Sequence, residues 1–166
     1  TGLVHGNELC GAIALDFLLR QGVRPKRGLL TFAFANAAAF RRFDPKRPSL
    51  TRFVDEDFNR VWSPAVLDGP RRSVELDRAR ALRPFVDSAD YLFDIHSMQL
   101  PTEPMMRCGP LEKGRALAVA VGIHPAPVPL ALPPEFPGTA LALHARPVAA
   151  LLFHAVPVPL ARHAVA

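Results

Sequence analysis

At 166 residues, with 49% hydrophobic and 21% charged side chains, the chain is long enough to bury one domain-sized core and too apolar to be disordered. No apolar run reaches the length of a membrane-spanning helix, and two cysteines, Cys10 and Cys108, are too few for a disulfide framework and suit a reducing, cytoplasmic setting. A net charge of +5 raises nucleic acid as a partner, but the cations are interspersed with carboxylates rather than gathered in a block, so neither nucleic acid nor a membrane is expected.

The chain opens on Thr rather than Met, directly ahead of a motif, and reads as a piece of a longer protein. ELCGAIALDFLLR, from Glu8 to about Arg20, is apolar on most of its circumference and predicts a largely buried helix closed by Gly22. GLLTFAFAN, residues 28–36, is a near-continuous apolar run, the pattern of a central strand covered on both faces. A loop rich in Arg, Pro and Asp follows to about Pro70, and its cations can draw in a small anion. Ser73 caps the next helix, with Glu75 and Asp77 in the first turn and Ala79, Leu82 and Val86 facing inward. Pro84 is expected to kink or end that helix, and Arg71, Arg72, Arg78, Arg80 and Arg83 to form a solvated face. YLFDIHS, from Tyr91, predicts a short strand, and residues 111–121 a third helix. Strands alternating with helices predict an α/β domain with a mainly parallel or mixed central sheet flanked by helices.

From Gly122 to Ala166 the composition changes: nine of the 18 prolines and four of the six histidines fall there, with only Glu135, Arg146 and Arg162 charged. Proline every few residues forbids long helices and interrupts central strands. Two readings stay open, a low-complexity Pro/Ala segment and a coding frame lost near residue 122. The expected organisation is a domain over residues 1–121, incomplete at both ends, followed by an atypical tail over 122–166.

Chemistry concentrates at three places. His5 and Glu8 stand three residues apart on a glycine turn at the mouth of the first helix, and Gly6 lets that turn bring both side chains together. His96 falls at the end of its strand, where open α/β sheets place functional groups. Two imidazoles and one carboxylate make a three-ligand zinc site that leaves the fourth position for water. Asp94, two residues before His96 and on the same strand face, reads either as an orienter of that histidine or as a buried structural carboxylate.

The third place is TRFVDEDFNR, residues 51–60. HGNE (His5 to Glu8), RFVDEDFNR (Arg52 to Arg60) and DIH (Asp94 to His96), in this order, resemble the aspartoacylase and succinylglutamate desuccinylase family, zinc amidohydrolases related in fold to the zinc carboxypeptidases. The resemblance covers roughly residues 1–121. It implies one zinc ion (Zn2+) per chain held by His5, Glu8 and His96, a substrate carboxylate gripped by Asn59 and Arg60, a scissile carbonyl polarised by Arg52, and a loop held by Asp57. Arginine suits both tasks, because its planar fork binds carboxylates bidentately where lysine offers a point charge.

The resemblance also implies a general-base glutamate on an apolar strand well after the D-x-H histidine. Glu135 sits in the proline turn PPEFPG, and Glu103 and Glu112 stand in other contexts, so the role is assigned to none of them. The expected activity is zinc-dependent hydrolysis of an amide, or an ester, in a small N-acyl amino acid or similar anion. The alternatives are a zinc carboxypeptidase acting on peptides and a non-catalytic zinc- or anion-binding fragment.

Overall fold

A computed structural model describes residues 1–97, 105–108, 111–121 and 149–155, the last of these as backbone. Along the chain run helices α1 (Leu9–Arg20), α2 (Ala37–Phe40), α3 (Pro64–Leu67) and α4 (Val74–Ser88), strands β1 (Tyr91–Ser97) and β2 (Met105–Cys108), helix α5 (Glu112–Ala120) and strand β3 (Ala149–Ala155). Two 3-10 turns, Pro48–Thr51 and Phe58–Arg60, punctuate the loop between α2 and α3.

The sheet is mixed. Its order is β1-β3-β2, with β3 parallel to β1 and antiparallel to β2. On the free side of β1, Gly2 bridges in parallel to both Ile95 and Phe34, and Ile95 N donates to the Thr1 carbonyl at 3.1 Å. The segment around Gly2 and strand β1 therefore run the same way, and the residues after Leu3 emerge at the same sheet edge as the end of β1. That shared edge is what brings the HGNE turn to His96.

Four local expectations are revised. Residues 28–36 form no strand: Phe34 makes a single bridge, and Leu29 is 91% exposed. Among the described residues the pairing partner there is the short stretch at Gly2 and Leu3, through the bonds Gly2 N to Ala33 O, Ala35 N to Gly2 O and Asn36 N to Leu3 O. Helix α1 buries only Gly11 and Leu15, because it meets the sheet with one face; Ile13 and Phe17 are each 59% exposed. Its end is as read, with Gly22 at φ 61° in the left-handed region that glycine tolerates. Helix α4 runs through Pro84 to Ser88, since buried Leu82 and Val86 straddle the proline and hold the last turn against the core. Finally, the proline-free stretch AALLFHA of the tail supplies β3, the middle strand of the sheet, so the tail does build one regular element. The remainder of the tail, Glu135 included, and Glu103 lie outside the described residues.

The main core gathers Val4, Phe58, Val61, Trp62 and Leu67 against Leu76, Ala79, Leu82 and Val86 of α4. Phe58 and Trp62 meet edge to face with ring centroids 5.5 Å apart. Burying Phe58 pins the loop from below, which leaves its neighbours Asp57 and Asn59 at the sheet edge. The arginines expected to form a solvated face of α4 are instead partly structural. Arg78 donates to the carbonyls of Phe34 and Ala35, and Arg80 to those of Leu67 and Gly69.

Candidate metal centre

The chain reaches the site through Leu3, a buried leucine held at φ 60°. A leucine in the left-handed region is strained, and the turn it makes redirects the backbone toward His5. Gly6 N then donates to the Arg52 carbonyl at 2.9 Å, and a Cβ at Gly6 would lie 2.5 Å from both Thr51 O and Ala39 C. Glycine is thus demanded here by the close approach of neighbouring backbone rather than by an unusual φ, which Gly6 lacks. Gly6→Ala is expected to cost about 1–3 kcal/mol through overpacking. A fall in the urea denaturation midpoint checks this, and an unchanged midpoint contradicts it.

Glu8 occupies the N-cap position of α1, yet its side chain caps no helix amide. The carboxylate turns instead into a buried cluster with His5 and His96, whose ligating atoms all lie within 4.8 Å of one another. Glu8 Oε1 is 2.7 Å from His5 Nδ1, and Glu8 Oε2 is 3.0 Å from His96 Nδ1. The Nε2 atoms face outward to two further carboxylates: His5 Nε2 lies 3.2 Å from Asp57 Oδ1, and His96 Nε2 lies 2.7 Å from Asp94 Oδ2. Asp94 also receives the Thr1 hydroxyl. Both rings therefore carry one nitrogen toward Glu8 and the other toward an orienting carboxylate. That is the arrangement metal-ligating histidines use to fix their tautomer.

The donor set fits a divalent cation. Glu8 Oε2 is buried and aimed into the cluster, where it faces His96 Nδ1 at 3.0 Å. A buried carboxylate is costly unless positive charge completes it, and a cation shared with the two imidazoles supplies that charge as well as a protonated ring does. Two imidazoles and one carboxylate could hold such an ion with a further position open.

Burial works against a charge on His96, but Asp94 and Glu8 outweigh it and push its pKa up to about 10 from 6.5. His5 is raised as well, burial being overcome by Asp57 and Glu8. Glu8 and Asp94 fall to about 2 despite their burial, chiefly through the charge of His96. Because the folded pKa of His96 is raised, its stabilisation is complete below about 6.5 and is lost as pH rises toward about 10. The carboxylates act oppositely, losing theirs as pH falls toward about 2. Metal-free protein is thus expected to melt at progressively lower temperature from about pH 7 to 10, on thermal scans in chelator. A midpoint constant across that range contradicts the protonated network.

The 51–60 loop closes the cluster on one side. Arg52 Nη1 is 3.9 Å from Glu8 Oε1, and its Nη2 is 3.5 Å from Asp57 Oδ2. Asp57 caps the second 3-10 turn through Asn59 N at 2.8 Å, and Asn59 Nδ2 lies 3.5 Å from His5 Nε2. Arg60 follows in the same turn and is exposed. The structure thus gathers His5, Glu8, His96, Asp94, Arg52, Asp57 and Asn59 at one place, with Arg60 on the adjoining surface. Sequence reading missed the contact between Asp57 and His5 and the buried pair Asn36 and Glu75 beneath the loop. The one signal for the pair was Glu75 itself, an acid at helical spacing from the inward positions Ala79, Leu82 and Val86.

The family model described as the succinylglutamate desuccinylase/aspartoacylase catalytic domain matches residues 1–118, which hold every residue of this cluster. The chain belongs to that family. Among solved structures, the crystal structure of murine aminoacylase 3 superposes with a TM-score of 0.65 at 21% sequence identity, over 96% of this chain. That likeness is one of fold, and the chain spans 55% of the length of the murine protein. No curated protein sequence matches the chain. Among the described residues of this desuccinylase/aspartoacylase-family chain, no helix is long and apolar enough to cross a membrane.

Proposed function

We propose that the chain carries the zinc site and part of the substrate grip of a cytoplasmic amidohydrolase that cleaves small N-acyl amino acids or similar carboxylates. The observation that carries this reading is the pairing of each cluster histidine, by Nδ1 with Glu8 and by Nε2 with an outer carboxylate, beside an arginine one-quarter exposed. His5, Glu8 and His96 hold the ion. When bound, zinc supplies a Lewis acid that polarises the scissile carbonyl and acidifies water.

The chain's own residues do the rest. Asp57 and Asp94 keep the two rings in the tautomer that leaves Nδ1 free to ligate. Arg52, close to Glu8 at the rim, directs its guanidinium to the negative charge that grows on the carbonyl oxygen. Asn59 and Arg60 bind the substrate carboxylate, the arginine by a charge-assisted fork that selects acids over neutral amides. The partner is therefore a small anion. Nucleic acid suits the site less well, because the arginines around α4 are engaged with acids and carbonyls of the chain itself.

The test compares release of an amino acid from N-acyl amino acids with release of the last residue from short peptides, in the full-length protein with zinc and after chelation. Faster turnover of N-acyl amino acids that stops on chelation is expected. Turnover of peptides alone would make it a carboxypeptidase. Zinc retention with no turnover of either would leave a binding protein.

A further inference from the structure

Glu75 is fully buried at the second position of α4, directly beneath the loop that carries Arg52 and Asp57. Its Oε1 accepts from Val54 N at 2.7 Å and from Asn36 Nδ2 at 2.9 Å. Its Oε2 accepts from Asp55 N at 3.0 Å and Glu56 N at 3.3 Å. The four donors match the four lone-pair sites of an ionised carboxylate. The loop grips back: Asp55 Oδ2 accepts from Val74 N at 2.7 Å, and Ser73 donates its hydroxyl to Glu56.

Helix dipole and capping alone do not account for this carboxylate. Ser73 already caps the helix through Leu76 N, and Glu75 spends its oxygens on amides of another segment. Those three consecutive amides belong to three of the four residues that separate Arg52 from Asp57. Burial works against a charge there, yet the loop amides and Asn36 hold the carboxyl below its ordinary value, so the grip is that of an anion. Asn36 joins the same network from the opposite side, its Oδ1 accepting from Ala39 N while its amide meets Glu75.

We propose that Glu75 is a positioning residue, which clamps the backbone of residues 54–56 so that Arg52 is presented beside Glu8 and Asp57 against His5. Its effect on turnover rests on the amidohydrolase reading given above; its effect on the loop does not. Reaction geometry tolerates little displacement, and a shift of an ångström in such a group lowers rates by about a hundredfold.

Glu75→Gln tests this in the full-length protein. The substitution keeps the shape but turns an amide NH2 toward N–H groups that need an acceptor. Hydrogen exchange at Val54, Asp55 and Glu56 should accelerate at least about tenfold, because three bonds that close the loop are weakened together. The kcat should fall by about ten- to a hundredfold with little change in KM, and metal content should stay at the parent level. Leu82→Ala, a core change on the same helix, should lower stability while leaving these three amides slow. Glu75→Asp, charged but one methylene short, should fall between parent and Gln variant. Loop exchange unchanged in Glu75→Gln, or accelerated as much in Leu82→Ala, overturns the clamp. If the parent hydrolyses no N-acyl amino acid, the enzyme reading fails while the exchange rates still decide the clamp.

Discussion

Glu8→Gln is expected to remove metal retention and to destabilise the metal-free protein by about 3 kcal/mol, the lower end of the range for breaking a buried ion pair. Both effects follow from the position of one carboxylate. Its two oxygens face the Nδ1 atoms of His5 and His96, and all three residues are buried. Glutamine keeps the volume but cannot supply negative charge to a dication, nor accept from both imidazoles at once. The lower end applies because Asp94 still pairs with the other nitrogen of His96, so that charge is not left wholly uncompensated. Metal analysis after dialysis and urea denaturation in chelator check the two halves separately. Full metal occupancy in the variant would exclude Glu8 as a ligand.

Arg52→Ala is expected to lower kcat by about 10²–10³, or about 3–4 kcal/mol, the cost of losing one donor aimed at a developing oxyanion. Metal content should not change, since Arg52 meets Glu8 only at 3.9 Å and Asp57 at 3.5 Å. Arg52→Lys should recover part of the rate, because a point charge replaces the electrostatic term but not the fork. Steady-state kinetics on an N-acyl amino acid provide the measurement. A kcat equal to that of the parent in Arg52→Ala would assign this arginine to loop structure alone.

The elements that could be read in the sequence are those whose cause is local. The strand at Tyr91 is set by a run of apolar residues, and within it the two-residue spacing puts Asp94 and His96 on one face. Ser73 and the inward positions of α4 follow from capping and helical period. What depended on long-range packing was not legible. The apolar circumference of α1 looked like burial on all sides, yet the sheet covers one face. GLLTFAFAN has strand composition, but among the described residues its pairing partner is the short segment at Gly2 and Leu3.

The same division holds at the candidate site. His5 and Glu8 share a turn, and the spacing alone brings them close. The 3.2 Å approach of Asp57 to His5 joins residues 52 positions apart, beside the buried Phe58. Glu75 shows the limit most plainly. A carboxylate in the first turn of a helix is adequately explained by the dipole, and its helical spacing to Ala79 hints at burial without betraying the loop amides it holds.

The most direct test is zinc per chain in the full-length folded protein, measured after dialysis at neutral pH against trace metal and repeated for His96→Ala. A value near one in the parent and near zero in a folded His96→Ala variant is predicted, because His5 and Glu8 alone leave the ion two ligands. A folded parent that keeps no zinc, or a variant that keeps as much as the parent, would contradict the metal centre formed by His5, Glu8 and His96.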